Sequence, residues 1–125
     1  MNEMQKSAPR AQDLVERTRA FALGVIKLYS RLPVTTLAQV MGRQLLKAGT
    51  SVGAQYREAR RAKSNADFIS KIEGALQELE ETSYWLELIE GSRVIATNDA
   101  NPLQVEASEL TSILVASVRT VKKRK

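Results

Sequence analysis

The sequence predicts an all-α protein, a single antiparallel, up-and-down bundle of four helices. In four separate segments, apolar residues recur at spacings of three and four, which is the period of an amphipathic helix. The apolar residues are mostly Leu, Val, Ile and Ala, and aromatic residues make up only 5% of the chain. The links between the segments are short, so neighbouring helices are expected to run in opposite directions. A chain of 125 residues fits one such domain.

The first helix is predicted over residues 11–32. Pro33 ends it, because the residue before a proline resists helical geometry. Residues 1–10 are polar and are expected to form a flexible N-terminus without a signal peptide. One row of regularly spaced residues marks the buried face of the helix: Leu14, Thr18, Phe21, Val25, Leu28 and Leu32.

The second helix is predicted over residues 36–62, with Thr35 or Thr36 as its N-terminal cap. Gly42, Gly49 and Gly53 lie in one row of it, together with Tyr56. A glycine inside a helix costs about 1 kcal/mol relative to alanine. We therefore expect these small residues to allow close approach by a neighbouring helix, within the bundle or in an oligomer.

The third and fourth helices are predicted over residues 65–90 and 102–121. Ser64 and Asp67 fit a capping box, Gly91 is a natural stop, and Pro102 is placed at a helix start after a loop. Residues 122–125 form a basic tail. Tyr84 and Trp85 are about 100° apart around their helix, so both cannot point into one core. One of them is expected at a helix or subunit boundary.

The composition argues against an enzyme. Cysteine and histidine are absent, which excludes thiolate metal sites, disulfides and histidine-based acid–base catalysis. The run 48–53 lacks the Lys and Ser/Thr of a phosphate-binding loop. Glu73, Glu80 and Glu87 share a helix face but lack the histidines of a di-metal bundle site. We expect no catalytic residue, metal or cofactor, and, because no apolar run is long enough for a membrane span, a cytoplasmic protein.

Charge is segregated along the chain. Residues 41–63 carry six basic and one acidic side chain, whereas residues 67–90 carry one basic and seven acidic. The basic second helix could pair with the acidic third, or its cations could contact nucleic-acid phosphates. The cations of the tail could also contact phosphates, or they could simply stabilise the C-terminus of their helix and keep the protein in solution. The candidate nucleic-acid-binding residues are Arg43, Lys47, Arg57, Arg60, Arg61, Lys63, Arg119, Lys122, Lys123, Arg124 and Lys125.

The middle of the chain resembles a known family. The run from Gln44 to Ala59 is similar to the central signature of the 23S rRNA intervening-sequence proteins, which are four-helix bundles. The similarity continues through residues 62–64, 67–69, 71–73, 79–82 and 84–88. Gln55 stands where the family usually has asparagine, a conservative departure.

The resemblance implies a bacterial protein that assembles as a ring-like homopentamer. It also implies kinship with the accessory protein of diversity-generating retroelements, a basic pentameric barrel that binds nucleic acid and its reverse transcriptase. The family has no recognised catalytic residues. We therefore expect a non-enzymatic homo-oligomer that binds RNA or DNA through a basic surface. The alternative is a protein-interaction scaffold or accessory subunit without a nucleic-acid role of its own.

Overall fold

The computed structural model describes residues 11–124, apart from the side chains of residues 11, 12 and 97. The predicted flexible segment 1–10 and the predicted contact residue Lys125 lie outside the described residues. Within residues 11–124 there are four helices and no strand: α1 (Ala11–Ser30), α2 (Thr36–Arg60), α3 (Asn65–Gly91) and α4 (Thr97–Lys123). Each helix packs against two others, α1 and α3 both lying against α2 and α4, and the α2–α3 contact is the most extensive.

The core is aliphatic and comes from the rows of apolar residues that the sequence predicted. Leu28, Leu45, Leu79 and Leu114 from the four helices are all fully buried. Two threonines are also buried, and their hydroxyls donate to carbonyl oxygens one turn earlier, Thr18 to Leu14 at 2.7 Å and Thr82 to Glu78 at 2.7 Å. In the described chain no buried side-chain polar atom lacks a partner. The core is therefore closed without unsatisfied polar groups.

Two helix starts follow the predicted capping chemistry. The Thr35 hydroxyl accepts a hydrogen bond from the Ala38 N–H at 3.2 Å, and the Ser64 hydroxyl accepts one from the Asp67 N–H at 3.0 Å. Each cap satisfies a backbone donor that has no partner inside its helix. Both residues have extended backbone dihedral angles, as N-terminal caps require.

The start of the last helix differs from the prediction. α4 begins at Thr97, so Pro102 lies inside the helix and the preceding loop is shorter than residues 92–101. The added turn carries Ala100, which is fully buried in the core, and this tertiary contact outweighs the local preference for a helix start at the proline. α4 also continues through Lys123, so two residues of the predicted tail are helical.

The link between α3 and α4 turns at Arg93 rather than at a glycine. Gly91 is the last residue of α3, and no glycine in the described chain has a positive φ. Arg93 has a φ of 60°, in the left-handed region that residues other than glycine rarely adopt. None of the helices of residues 11–124 is long and apolar enough to cross a membrane.

Candidate nucleic-acid interface

The predicted basic residues of α2 fall into two groups. Arg43 and Lys47 lie in the first half of the helix, whereas Arg57, Arg60 and Arg61 lie at its end. All five side chains are exposed. With a rise of about 1.5 Å per residue, Arg43 and Arg60 are about 25 Å apart along the axis. One small surface therefore does not contain both groups.

Cations from three helices converge where α2 ends. A series of surface cavities runs around this end of the bundle, and each cavity shares a cation with the next. Arg19 and Arg57 line the first, of about 290 Å³, and Arg57 and Arg60 line the second, of about 400 Å³. Arg60 and Arg124 line the third, of about 580 Å³, and Arg124 lines the fourth, of about 520 Å³.

We call this surface the basic end and define it by the cations that line these cavities. They are Arg19, Arg57, Arg60, Arg61, Lys63 and Arg124. Arg119, Lys122 and Lys123 are exposed on the adjoining last turns of α4. Arg19 was not among the predicted contact residues. Only the packing of α1 beside α2 reveals it, because Arg19 shares its cavity with Thr50, Gly53 and Arg57 of α2.

The cations of the basic end form no salt bridge with any residue of the described range 11–124. In the described part of the chain the salt bridges are Arg17–Glu106 at 2.6 Å, Arg17–Glu109 at 3.3 Å and Lys71–Glu58 at 3.0 Å. The last of these joins α2 to α3, but its acid is on α2 and its base on α3. The pairing considered for a basic second helix and an acidic third helix is therefore not formed at the basic end.

Lys47 is a partial exception to this lack of pairing. Burial and the nearby Glu81 carboxylate raise the pKa of Glu78, and the positive charge of Lys47 opposes that rise. Lys47 therefore lies close enough to the acidic side of α3 to interact with it. This distinguishes it from the residues of the basic end.

Tyr56 contributes to the third cavity of the basic end. Its side chain is buried and lines the same cavity as Arg60, Lys63 and Arg124. Burial raises the pKa of the Tyr56 phenol, and the charge of Arg60 opposes that rise. The guanidinium of Arg60 is therefore close to the phenol, and at neutral pH the cavity has a neutral tyrosine beside positive charges.

The three glycines of α2 face α1 at very short range. A Cβ on Gly49 would lie 2.6 Å from Cγ2 of Val25, and one on Gly42 would lie 2.6 Å from Cδ1 of Leu32. At Gly53 the closest atom would be Oγ1 of Thr18, at 3.1 Å. We call this contact the glycine seam. The helix that approaches these glycines closely belongs to the same chain, so this contact lies within the bundle.

The two adjacent aromatic residues of α3 have different environments. Trp85 is half-buried and packs against the core, whereas Tyr84 is 54% exposed. Their rings form an edge contact with centroids 5.3 Å apart. Other large apolar side chains that are exposed on the helices are Leu23, Ile26, Leu37, Val40 and Val105. Among the described residues, no group of three or more potential ligand side chains could hold a metal ion.

Comparisons with known proteins agree with this architecture. The sequence model of the family described as 23S rRNA-intervening sequence protein matches residues 10–116. A solved structure from Bacteroides thetaiotaomicron, a protein of unknown function from the S23 ribosomal protein family, is 35% identical with a TM-score of 0.79. The similarity covers 84% of this chain and 97% of that chain. No curated protein matches the sequence.

Proposed function

This chain belongs to the 23S rRNA-intervening sequence protein family, and we propose that it is a non-enzymatic, cytoplasmic homo-oligomer that binds nucleic acid through its basic end. The observation that carries this proposal is the convergence of cations from α1, from the end of α2 and from the residue that follows α4, none of which forms a salt bridge within residues 11–124. Unpaired arginines suit phosphate oxygens, which they bind through charge-assisted hydrogen bonds. RNA is the first ligand to test, followed by duplex DNA.

Binding of this kind depends on phosphate charge more than on sequence. Each neutralised phosphate releases counterions, so the affinity falls as the salt concentration rises. The chain as a whole has a net charge of +5, which favours association with a polyanion over long range. Arg43 lies far from the basic end, and we expect it to contribute only to this general field.

The antiparallel order of the helices is part of the proposal. Along α2, Gly42, Gly49 and Gly53 meet residues of α1 whose numbers decrease, namely Tyr29, Val25 and Thr18. Along α3, Lys71 lies beside Glu58 and Gly74 lies beside Gln55. These pairs support an up-and-down bundle in which the basic end contains the end of α2, the start of α3 and the end of α4.

Self-association into a ring, a pentamer as the family resemblance implies, is also part of the proposal. Continuing the α2–α3 register brings Gln44 level with Trp85 and Val40 level with Ile89. Leu37 and Val40, which are exposed, therefore lie near the C-terminal end of α3, the end that contains Tyr84. Leu23 and Ile26 are exposed on α1, a different face. Two distinct apolar patches suit a head-to-tail contact, which closes into rings, and a ring would multiply the basic ends and the avidity.

A protein-interaction scaffold is the second candidate function. The observation that favours it is the acidic outer surface of α3. Glu73, Glu80, Glu81 and Glu87 are exposed and form no salt bridge in residues 11–124. Such a surface would suit a basic protein partner. On this hypothesis the charge segregation serves protein contacts alone.

The decisive experiment compares two triple variants of the full chain in RNA and duplex DNA binding across a salt series. Arg57→Gln/Arg60→Gln/Arg61→Gln removes three charges from the basic end. Lys27→Gln/Arg31→Gln/Arg43→Gln removes three exposed charges elsewhere. We expect the first variant to lose about tenfold or more in affinity, with a salt slope lower by roughly one for each lost contact. The second should stay within about threefold of the wild type, because it changes only the general field.

Equal losses in the two variants would show that net charge, not the basic end, drives binding. A wild-type chain that binds neither RNA nor DNA at low salt would contradict nucleic-acid binding altogether. The scaffold would then be the better hypothesis, and the acidic face of α3 would be the surface to test.

A further inference from the structure

Two of the cavities at the basic end are continuous and differ in chemical character. They share five lining residues: Leu14, Phe68, Ser117, Val121 and Arg124. One lobe is cationic and contains Arg60, Lys63 and the phenol of Tyr56. The other lobe is mostly apolar and contains Phe68, Ile113 and Ala116. We call the two lobes together the end cavity.

The end cavity follows from the unequal ends of α1 and α4. Arg17 of α1 lies beside Glu106 and Glu109 of α4, and Gly24 lies beside Leu103. In the antiparallel order proposed above, Ala11 is then about level with residue 114. α4 continues through Lys123, which adds roughly 13 Å at the helical rise. Among the described residues, Leu14 is the α1 residue that lines the end cavity with Val121 and Arg124, and the rest of these last turns is left open.

The cationic lobe suits a negatively charged occupant. Arg60, Lys63 and Arg124 are exposed at its rim and form no salt bridge among the described residues. Residues 1–10 contain two basic side chains and one acidic one, so their charge has the same sign as that of the lobe. Charge complementarity therefore favours an anionic ligand over the N-terminal segment of the chain itself.

The apolar lobe offers a ring and hydrogen-bond acceptors. Phe68 is half-buried, so part of its ring faces the cavity. The Ser117 hydroxyl donates to the Ile113 carbonyl at 3.1 Å, and the Thr120 hydroxyl donates to the Ala116 carbonyl at 3.0 Å. Because their protons are already used, these hydroxyl oxygens can accept hydrogen bonds from a ligand. A flat group that bears N–H donors fits this lobe.

We propose that the end cavity binds one unpaired nucleotide, with the base against Phe68 and the phosphate between Arg60, Lys63 and Arg124. The inference rests on the proposed function, because the nucleotide would belong to the nucleic acid held by the basic end. Lobes of about 520 and 580 Å³ are within the range of small-ligand sites. A base in a duplex is stacked and paired, so the cavity selects single strands, as stacking proteins do.

The test measures the binding of the full chain to a short single-stranded RNA, a blunt RNA duplex, AMP and inorganic phosphate. Phe68→Leu removes the ring but keeps the site apolar, and Ala116→Leu fills the apolar lobe without removing any contact. The matched control is Tyr29→Leu, which removes a half-buried ring at the other end of the bundle. We expect both cavity variants to lose about fivefold or more in single-strand affinity. Their duplex affinity and salt slope should stay within about twofold, and the control should change neither.

The outcomes distinguish a failure of this inference alone from a failure of the proposed function. Binding of AMP more tightly than inorganic phosphate, with the same sensitivity to both cavity variants, would support the nucleotide site whether the nucleotide is free or in a strand. Parallel losses on single strand and duplex, or no loss in either variant, would overturn the inference and leave phosphate binding by the basic end intact. A wild-type chain that binds none of the four probes would overturn both. Should Phe68→Leu fail to fold, Ala116→Leu alone decides the result.

Discussion

The glycine seam and the basic end are built into the same helix, and they use opposite physical strategies. In the seam, three positions of α2 are glycines and have no side chain. Val25 of α1 therefore packs so closely that a Cβ on Gly49 would lie only 2.6 Å from its Cγ2 atom. At the basic end, α2 carries long charged side chains with cavities between them. The seam brings helices together, and the basic end leaves surface open.

This difference indicates that stability and ligand binding depend on different residues of α2, although Gly53 of the seam also lines the first cavity of the basic end. The seam is closely packed at Gly42 and Gly49, so the addition of a single methyl group at either glycine should lower the stability of the fold. The cations of the basic end have no partner in residues 11–124 whose loss would destabilise the fold. Substitutions in the two regions should therefore affect different measurements.

The largest effect is expected in the seam, at Gly49. The leucine side chain of Gly49→Leu cannot fit beside Val25. We expect this variant to lose about 3 kcal/mol or more of the free energy of unfolding, or to fail to fold. Gly49→Ala should lose about 1–3 kcal/mol, because the overpacking exceeds the gain in helix propensity of about 1 kcal/mol. Chemical denaturation measures both free energies.

Gly74 provides the matched control on α3. There the three atoms nearest to a Cβ would be those of the Gln55 side-chain amide, at 3.1–3.2 Å, and that flexible group can move. We expect Gly74→Ala to stabilise the protein by up to about 1 kcal/mol. A Gly49→Ala variant as stable as the wild type would show that α1 and α2 are not closely packed at the seam.

An intermediate effect on stability is expected for Arg17, a cation that forms a salt bridge with Glu106. Its guanidinium donates to both carboxylate oxygens of Glu106, at 2.6 Å and 3.0 Å. These bonds, together with the negative charge of Glu106, raise the pKa of Arg17. The pair is partly exposed, so we expect a coupling of about 0.5–1 kcal/mol in a double-mutant cycle of Arg17→Gln and Glu106→Gln. Zero coupling would make Arg17 energetically equivalent to the unpaired cations of the basic end.

A smaller effect of opposite sign is expected at Arg93, outside both regions. Its φ of 60° costs a non-glycine residue roughly 1 kcal/mol. Arg93→Gly would remove this cost, but glycine also has greater conformational freedom in the unfolded chain, which offsets part of the gain in stability. Arg93→Gly should therefore stabilise the protein by about 0.5 kcal/mol. Thermal unfolding would show this as a higher midpoint, whereas a lower midpoint would mean that the Arg93 side chain supports the α3–α4 link.

The smallest effect is expected at Glu78, and it depends on pH. Burial, followed by the neighbouring Glu81 charge, raises the pKa of Glu78, so the folded protein binds this proton more tightly than the unfolded chain does. The ionised carboxylate therefore lowers stability above that pKa, and the loss disappears as the pH falls. We expect Glu78→Gln to be slightly more stable than the wild type at pH 7 and no more stable below the ordinary glutamate pKa of 4.5. A constant difference across pH would contradict this.

Local signals predicted most of the fold, and positions that depend on register were missed. Thr35 and Ser64 were found because capping is a property of a few adjacent residues. The start of α4 was missed because the burial of Ala100 is a tertiary effect. Arg19 was missed because only the orientation of α1 brings it to Arg57.

The charge pattern of the sequence also failed to predict which residues of neighbouring helices lie side by side. Counting charges by segment suggested that basic α2 could pair with acidic α3, yet the salt bridge between them joins Glu58 of α2 to Lys71 of α3. Segment totals contain no information about which residues are level with one another. The end cavity was likewise out of reach of the sequence, since it depends on where α1 begins relative to the end of α4.

The separation of stability from binding is the central claim, and one paired measurement tests it most directly. The free energy of unfolding and the RNA affinity are measured for Gly49→Ala and for Arg57→Gln/Arg60→Gln/Arg61→Gln. We expect the glycine variant to lose about 1–3 kcal/mol while its affinity stays within about twofold. The arginine variant should lose about tenfold or more in affinity, with its stability within about 0.5 kcal/mol of the wild type. If each variant changes both quantities, or if the arginine variant binds RNA as the wild type does, the claim is wrong.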